Sequence, residues 1–120
     1  MKSVFIVEDD KSIQMLYQKI LKLVGFTVIG IANNGDEAVS MFKAFNDKPE
    51  IIIMDHRMPV KNGIEATKEI LLIDNTVKII FASADKSVRD EALAIGSVGF
   101  IDKPFSLDRL VKKIKEVSNP

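Results

Sequence analysis

Cysteine is absent from this 120-residue chain, so neither a disulfide nor thiolate chemistry is open to it. No apolar run approaches the roughly 18 residues that span a bilayer. Met1-Lys2-Ser3 leads straight into four apolar residues, too few for the core of a signal peptide. A cytoplasmic location with no membrane association is therefore the expectation. Net charge is zero, from 17 basic and 17 acidic residues. A strongly basic field is thus lacking, and direct binding of nucleic acid is not expected. The local basic stretch Lys112, Lys113 and Lys115 reads as a solvated helix face. Internal repeats, low-complexity stretches and linkers are missing too. One domain over residues 1–120 is the expectation, and the three residues past Val117 leave no room for an output domain.

What is present is enough apolar sequence, 47% of residues, to bury a core without covalent staples. It comes in five short runs: Val4–Val7, Thr27–Ala32, Ile51–Met54, Val77–Ala82 and Val98–Ile101. Three of these lack polar alternation and β-branched residues dominate, the pattern of parallel strands covered on both faces. Helical spacing fills the intervals. Ile13, Leu16, Tyr17, Ile20, Leu21 and Val24 form a core-facing stripe, and Gly25 falls where a left-handed cap belongs. Asn34 reads as an N-cap with Glu37 as its capping-box partner, followed by Ala38, Val39, Phe42 and Phe45. Ile64, Thr67, Ile70 and Leu71 mark a third helix. Val88, Ala92 and Ile95 mark a fourth with a small apolar face, ending at Gly96. Leu107, Leu110, Val111, Ile114 and Val117 mark a fifth, with Ser106 as its cap. The reading is α/β, a (βα)5 doubly wound parallel five-stranded sheet with right-handed crossovers.

In open α/β sheets ligands bind at the carboxyl ends of the strands. Glu8, Asp9 and Asp10 follow the first run, Asp55 the third, Ser83 the fourth, and Asp102, Lys103 and Pro104 the fifth. Converging carboxylates repel unless a cation compensates, and Mg²⁺ suits an oxygen-rich site of this kind. On the triplet alone, capping of the first helix explains the acids equally well. Asp55 sharpens the case, because an aspartate beside a metal can take a phosphoryl group as an acyl phosphate. Ser83 could donate a hydrogen bond to that group and Lys103 could pair with it. A cis Lys103–Pro104 bond would aim the lysine at the site, although X–Pro bonds are generally trans. His56, the only histidine, should face away from Asp55. Gln14, Met15 and Gln18 lie off the apolar stripe and are either docking residues or simply exposed.

Four motifs carry a family resemblance across essentially the whole chain: Val7-Glu8-Asp9-Asp10, Asp55-x-x-Met58-Pro59-x-x-x-Gly63, Phe81-Ala82-Ser83-Ala84, and Gly96-x-x-Gly99-Phe100-x-x-Lys103-Pro104-Phe105. In this order they resemble the receiver domain of two-component response regulators, and of the stand-alone chemotaxis type. The resemblance implies the flavodoxin-like strand order 2-1-3-4-5, for which a chemotaxis regulator is a standard example. It implies Asp55 as phosphoacceptor and a sensor histidine kinase or phosphotransfer protein as donor. Mg²⁺, with Mn²⁺ as substitute, would be held by Asp9, Asp55 and the Arg57 carbonyl, with Glu8 acting through water. Lys103 would contact the phosphate. Ser83, Phe100 and Pro104 would form the switch, turning the surface toward a downstream protein as monomer or phosphorylation-dependent dimer. The chain would be no enzyme beyond its own phosphorylation and dephosphorylation. Ser83 stands for the commoner threonine and Phe100 for tyrosine. Arg57 and Asp85, each two residues past a site residue, would tune dephosphorylation.

Rival readings fit less well. A haloacid-dehalogenase-type phosphohydrolase carries Asp-x-Asp after its first strand, where this chain has Glu8-Asp9-Asp10-Lys11-Ser12. A flavin-binding domain needs a hydroxyl- and glycine-rich phosphate loop at the position these acids occupy. No Walker A or G-x-G-x-x-G motif occurs. A phosphorylation-independent module would not need the full set of Asp, Ser and Lys.

Overall fold

A computed structural model describes residues 2–118. Met1, part of the start read as too short for a signal peptide, and residues 119–120 lie outside the described residues. Five strands alternate with five helices: β1 (Ser3–Val7), α1 (Lys11–Leu23), β2 (Thr27–Ala32), α2 (Gly35–Ala44), β3 (Ile51–Met54), α3 (Gly63–Ile73), β4 (Lys78–Ser83), α4 (Arg89–Ala94), β5 (Gly99–Asp102) and α5 (Leu107–Ser118). All pairings are parallel, in the order β2-β1-β3-β4-β5. β4 and β5 each sit one residue later than their apolar runs. Pairing rather than apolarity ends a strand, and Ser83 remains in register with Asp102.

Strand side chains alternate between faces. Phe5, Val7, Ile52, Met54, Ile79 and Phe81 pack toward α2, α3 and α4. Val4, Ile6, Ile51, Ile53, Ile80 and Ala82 pack toward α1 and α5. Burial on both faces accounts for the absence of polar alternation in these runs. Each large side chain so enclosed contributes about 2 kcal/mol of transfer free energy.

The helices end where their caps dictate. Asp10 Oδ1 accepts from Ser12 N and Ile13 N, which starts α1. Gly25, at φ +92°, closes it, with Phe26 N donating to Leu21 O and Gly25 N to Lys22 O. Two expectations for α1 fail. Leu16, expected in the core stripe, is 46% exposed, and Gln14, expected off it, is buried. The buried face runs through Gln14, Tyr17 and Leu21 at i, i+3, i+7, so one polar residue shifts it away from the apolar count. Asn34 caps α2 as expected, but the Glu37 carboxylate turns to Asn33 instead of closing the box on Asn34. A complete capping box occurs on α3 instead, between Asn62 and Glu65. The fourth helix is short, as its small apolar face suggests: a 3₁₀ turn, Lys86–Val88, then six residues. Ser106 Oγ accepts from Arg109 N and starts α5.

Candidate functional site

Backbone hydrogen bonds continue the ladders past the strand ends and place the site residues side by side. Glu8 N donates to Ala32 O at 3.0 Å, Asp55 N to Val7 O at 3.0 Å, and Lys103 N to Ser83 O at 2.9 Å. The acids that follow β1 and β3 and the lysine that follows β5 therefore meet on one rim. Carboxylate oxygens of Glu8, Asp9 and Asp55 lie within 4.8 Å of one another. The triplet after β1 divides its work: Glu8 is buried, Asp9 reaches outward into the cluster, and Asp10 is the helix cap.

Lys103 Nζ stands between two of these acids, 2.8 Å from Glu8 Oε1 and 3.5 Å from Asp55 Oδ1. The Lys103–Pro104 bond is cis, against the usual trans preference of X–Pro bonds. The other Glu8 oxygen accepts from Asp10 N at 3.1 Å. Asp55 is 8% exposed, and Oδ1 accepts from His56 N at 2.9 Å. Burial pushes the Asp55 carboxyl up to about 6; Lys103 and the His56 amide pull it down, while Glu8 and Asp9 push it further up. One ammonium thus compensates three crowded acids only in part. All three offer hard oxygen donors, the set that suits Mg²⁺, and a divalent cation would relieve the remaining repulsion. The residues fit such an ion.

Ser83 is buried, and its Oγ accepts from Asp85 N at 3.0 Å. Phe100 is half-buried, its ring stacked on Phe81 at 6.5 Å between centroids. Arg57 points its side chain into solvent and pairs with Asp85. His56 touches Asp55 through its backbone amide, while its Nδ1 is buried without a hydrogen-bond partner. Met15 and Gln18 are exposed, as expected of residues off the stripe.

Sequence reasoning missed three contributors. Gln14 reaches beneath the acids to the Glu8 carbonyl, and Asn33 ties it to α2. A polar residue at i, i+3 spacing with buried Tyr17 was the available signal. Tyr17, counted as plain core, stacks on Phe105 with ring centroids 6.3 Å apart, and its hydroxyl is buried without a partner. Burial, with Glu8 and Asp55 adding, holds that phenol well above its ordinary range.

Strand order, helix placement and an acidic pocket at the strand ends define a flavodoxin-like α/β domain with a cation-suited rim site. Residues 4–115 match the response regulator receiver domain. The chemotaxis protein CheY of Thermotoga maritima is 42% identical over 119 residues, covering 98% of both chains. The chain belongs to the response regulator receiver domain family of two-component signalling and is CheY-like. Among solved structures, the response regulator TrrA of Thermotoga maritima in complex with Mg²⁺ and beryllium fluoride superposes with a TM-score of 0.87. It is 29% identical, over 98% of this chain and 99% of that one. CheY of Borrelia burgdorferi, in a complex with CheX, BeF3 and Mg²⁺, gives a TM-score of 0.90 at 28% identity, over 99% of this chain and 90% of that one.

Proposed function

We propose that Asp55 accepts a phosphoryl group from a phosphohistidine of a sensor kinase or phosphotransfer protein, and that the new charge switches a partner-binding surface. The supporting observation is the convergence of Glu8, Asp9 and Asp55 on one spot, with Lys103 spanning two of them. Asp55 ionises, and one carboxylate oxygen attacks phosphorus. An O–P bond forms, the P–N bond breaks, and the imidazole leaves with a proton. Asp9, Asp55 and the Arg57 backbone carbonyl would hold Mg²⁺, or Mn²⁺ in its place, with Glu8 acting through water. When bound, the ion supplies neutralisation of charge on the transferring group. Lys103 moves from Asp55 to the phosphate, a displacement of one flexible ammonium. Ser83 Oγ gives up the Asp85 amide and donates to a phosphoryl oxygen.

The readout follows from what touches Ser83. Movement of this side chain disturbs the Asp85 turn, and β4 and β5 are in register from Ile80–Gly99 to Ser83–Asp102. Phe100, already against Phe81, follows inward, and Pro104 moves with the neighbouring Lys103. A second packing of the β4–α4 and β5–α5 units then presents a new surface. The chain catalyses only its own phosphorylation and dephosphorylation and works in the cytoplasm, as monomer or phosphorylation-dependent dimer. Among the described residues no helix is long and apolar enough to cross a membrane. The Mg²⁺ complexes of the two relatives support the metal, and the CheX complex of one supports a protein as downstream partner.

Incubation with MgCl2 and acetyl phosphate, read by intact mass, tests this. One acid- and base-labile phosphoryl adduct is expected on the wild type, none on Asp55→Asn and none in EDTA. An adduct on Asp55→Asn would place the acceptor elsewhere and end this reading.

A further inference from the structure

Gln14 is an amide buried at 6% exposure on a helix whose other buried residues are apolar or aromatic. Its Nε2 lies 2.5 Å from Glu8 O and 2.9 Å from Asn33 Oδ1, so both of its N–H donors are used. Turning the amide over would set an oxygen against two acceptors, which fixes its orientation. Asn33 Oδ1 also accepts from Lys11 Nζ, and Asn33 donates through N and Nδ2 to Glu37 Oε1. A continuous set of hydrogen bonds therefore runs from the Glu8 carbonyl, through α1, to the first turn of α2. Glu8 is thereby held at both ends: Gln14 fixes its carbonyl, while Lys103 and the Asp10 amide fix its carboxylate.

From this geometry we infer that Gln14 is a positioning residue for the cation site, setting the Glu8–Asp9 peptide by tying the loop after β1 to the loop after β2 through Asn33. The inference rests on the reading that Glu8, Asp9 and Asp55 hold a divalent cation. Gln14 touches no acid side chain, and it acts through the backbone on which Asp9 is carried. Residues that orient the ligands of a metal in this way typically carry 10-fold or more of its affinity.

The test is a titration of the ¹⁵N-labelled 120-residue chain with MgCl2, followed at the Asp9 and Asp10 amides and run on the wild type, Gln14→Met, Gln14→Glu and Asn33→Leu. Gln14→Met keeps the volume and removes both donors, and Mg²⁺ affinity is expected to fall about 10-fold. Gln14→Glu places a carboxylate oxygen against the Glu8 carbonyl. Extra negative charge near a cation site would tighten binding by simple electrostatics, whereas misplacement of the Glu8–Asp9 peptide weakens it. Weaker binding is expected. Asn33→Leu should share the loss, and the Gln14→Met, Asn33→Leu double variant should lose less than the product of the two.

Without metal, amide exchange gives a second readout. Gln14→Met is expected to speed exchange at Asp10 N–H, whose acceptor is Glu8, while the Phe81 and Ile52 amides in the sheet stay protected. Circular dichroism at the titration temperature restricts the comparison to folded variants. Unchanged affinity in Gln14→Met, tighter binding in Gln14→Glu, or full additivity with Asn33→Leu would each overturn the inference. Absence of saturable Mg²⁺ binding in the wild type would overturn the cation-site reading itself, and this inference with it.

Discussion

Arg57 Nη2 lies 2.9 Å from Asp85 Oδ2, a bridge between the loop that follows Asp55 and the loop that follows Ser83. Arg57 is 77% exposed along its side chain and Asp85 only 15%, so the arginine reaches across to an anchored acid. Asp85 is held by Ser87, whose hydroxyl and backbone amide both donate to Oδ1 and, with Arg57, keep its carboxyl below the usual range. Each partner stands two residues past a residue placed on the phosphoryl group. On the reading that Asp55 carries the phosphoryl group, the pair is expected to screen it from attacking water.

Breaking that bridge is expected to shorten the life of the adduct several-fold. Arg57→Ala and Asp85→Asn should both accelerate loss of the acetyl-phosphate adduct, followed by intact mass after donor removal. Raising KCl to about 1 M screens an exposed pair and should move the wild type in the same direction. Folding stability should hardly change in Arg57→Ala, since an ion pair whose arginine lies in solvent contributes little. Equal lifetimes in all three proteins would show that the bridge does not control water.

Asp55 is expected to make the metal-free protein less stable at neutral pH. Its carboxyl is pushed up to about 6 in the fold, so the folded chain binds the proton more tightly than the unfolded chain. Stability then falls as pH rises from about 4 to about 6, and the whole penalty is present at pH 7. Asp55→Asn removes the ionisable group with little change of shape. In EDTA at pH 7 it should be more stable than wild type by about 1–2 kcal/mol, allowing for partial solvent screening at the rim. At pH 4.5 most of that gain should vanish. Urea denaturation at the two pH values measures both. A gain that is equal at the two would assign it to packing instead of charge.

Much of this was readable from residue order, for reasons that also explain the errors. Doubly buried parallel strands leave an unmistakable apolar run, and the acids at their ends need only chain order to be gathered on one rim. Asp55, Ser83 and Lys103 stand out in the sequence because strand ends are where such sheets bind ligands. Gln14 and Leu16 were misplaced because apolarity was used to find the buried face, and a buried amide that spends its donors on Glu8 and Asn33 breaks that rule. Glu37 was assigned to its own cap because spacing cannot tell Asn34 from Asn33. The Arg57–Asp85 bridge joins residues 28 apart, and no periodicity reports a contact between two loops. Lys103–Pro104 was open to either isomer, since local sequence only loosens the trans preference.

Val60 occupies left-handed backbone at φ 71° with a β-branched, 81% exposed side chain. It is the central residue of a three-residue turn in which Lys61 N donates to Pro59 O at 2.8 Å. The side chain gains little from burial there and costs strain. Val60→Asn, a residue that tolerates this region, should raise stability by about 1 kcal/mol. Thermal melting checks the sign, and Mg²⁺ affinity should be unchanged. A lower melting temperature would mean that the valine makes a compensating contact.

Gly63 presents the opposite case, a glycine needed for space. A Cβ there would lie 2.3 Å from Asp55 O and 2.9 Å from His56 Cα, both backbone atoms that no rotamer change can move aside. Gly63 N also donates to His56 O, which pins the start of α3 against the segment that carries the phosphoacceptor. Gly63→Ala must therefore shift either the start of α3 or the Asp55–His56 segment, and the expected result is a displaced Asp55 carboxylate. A stability loss of roughly 2–4 kcal/mol is expected, together with slower phosphorylation by acetyl phosphate in the fraction that remains folded. Gly25→Ala is the control, because its added Cβ meets nothing within 4 Å and only its positive φ is penalised. That variant should lose about 1 kcal/mol and phosphorylate normally. If Gly63→Ala behaved like Gly25→Ala, with its rate intact, the close approach of α3 to Asp55 would not be setting the position of the carboxylate.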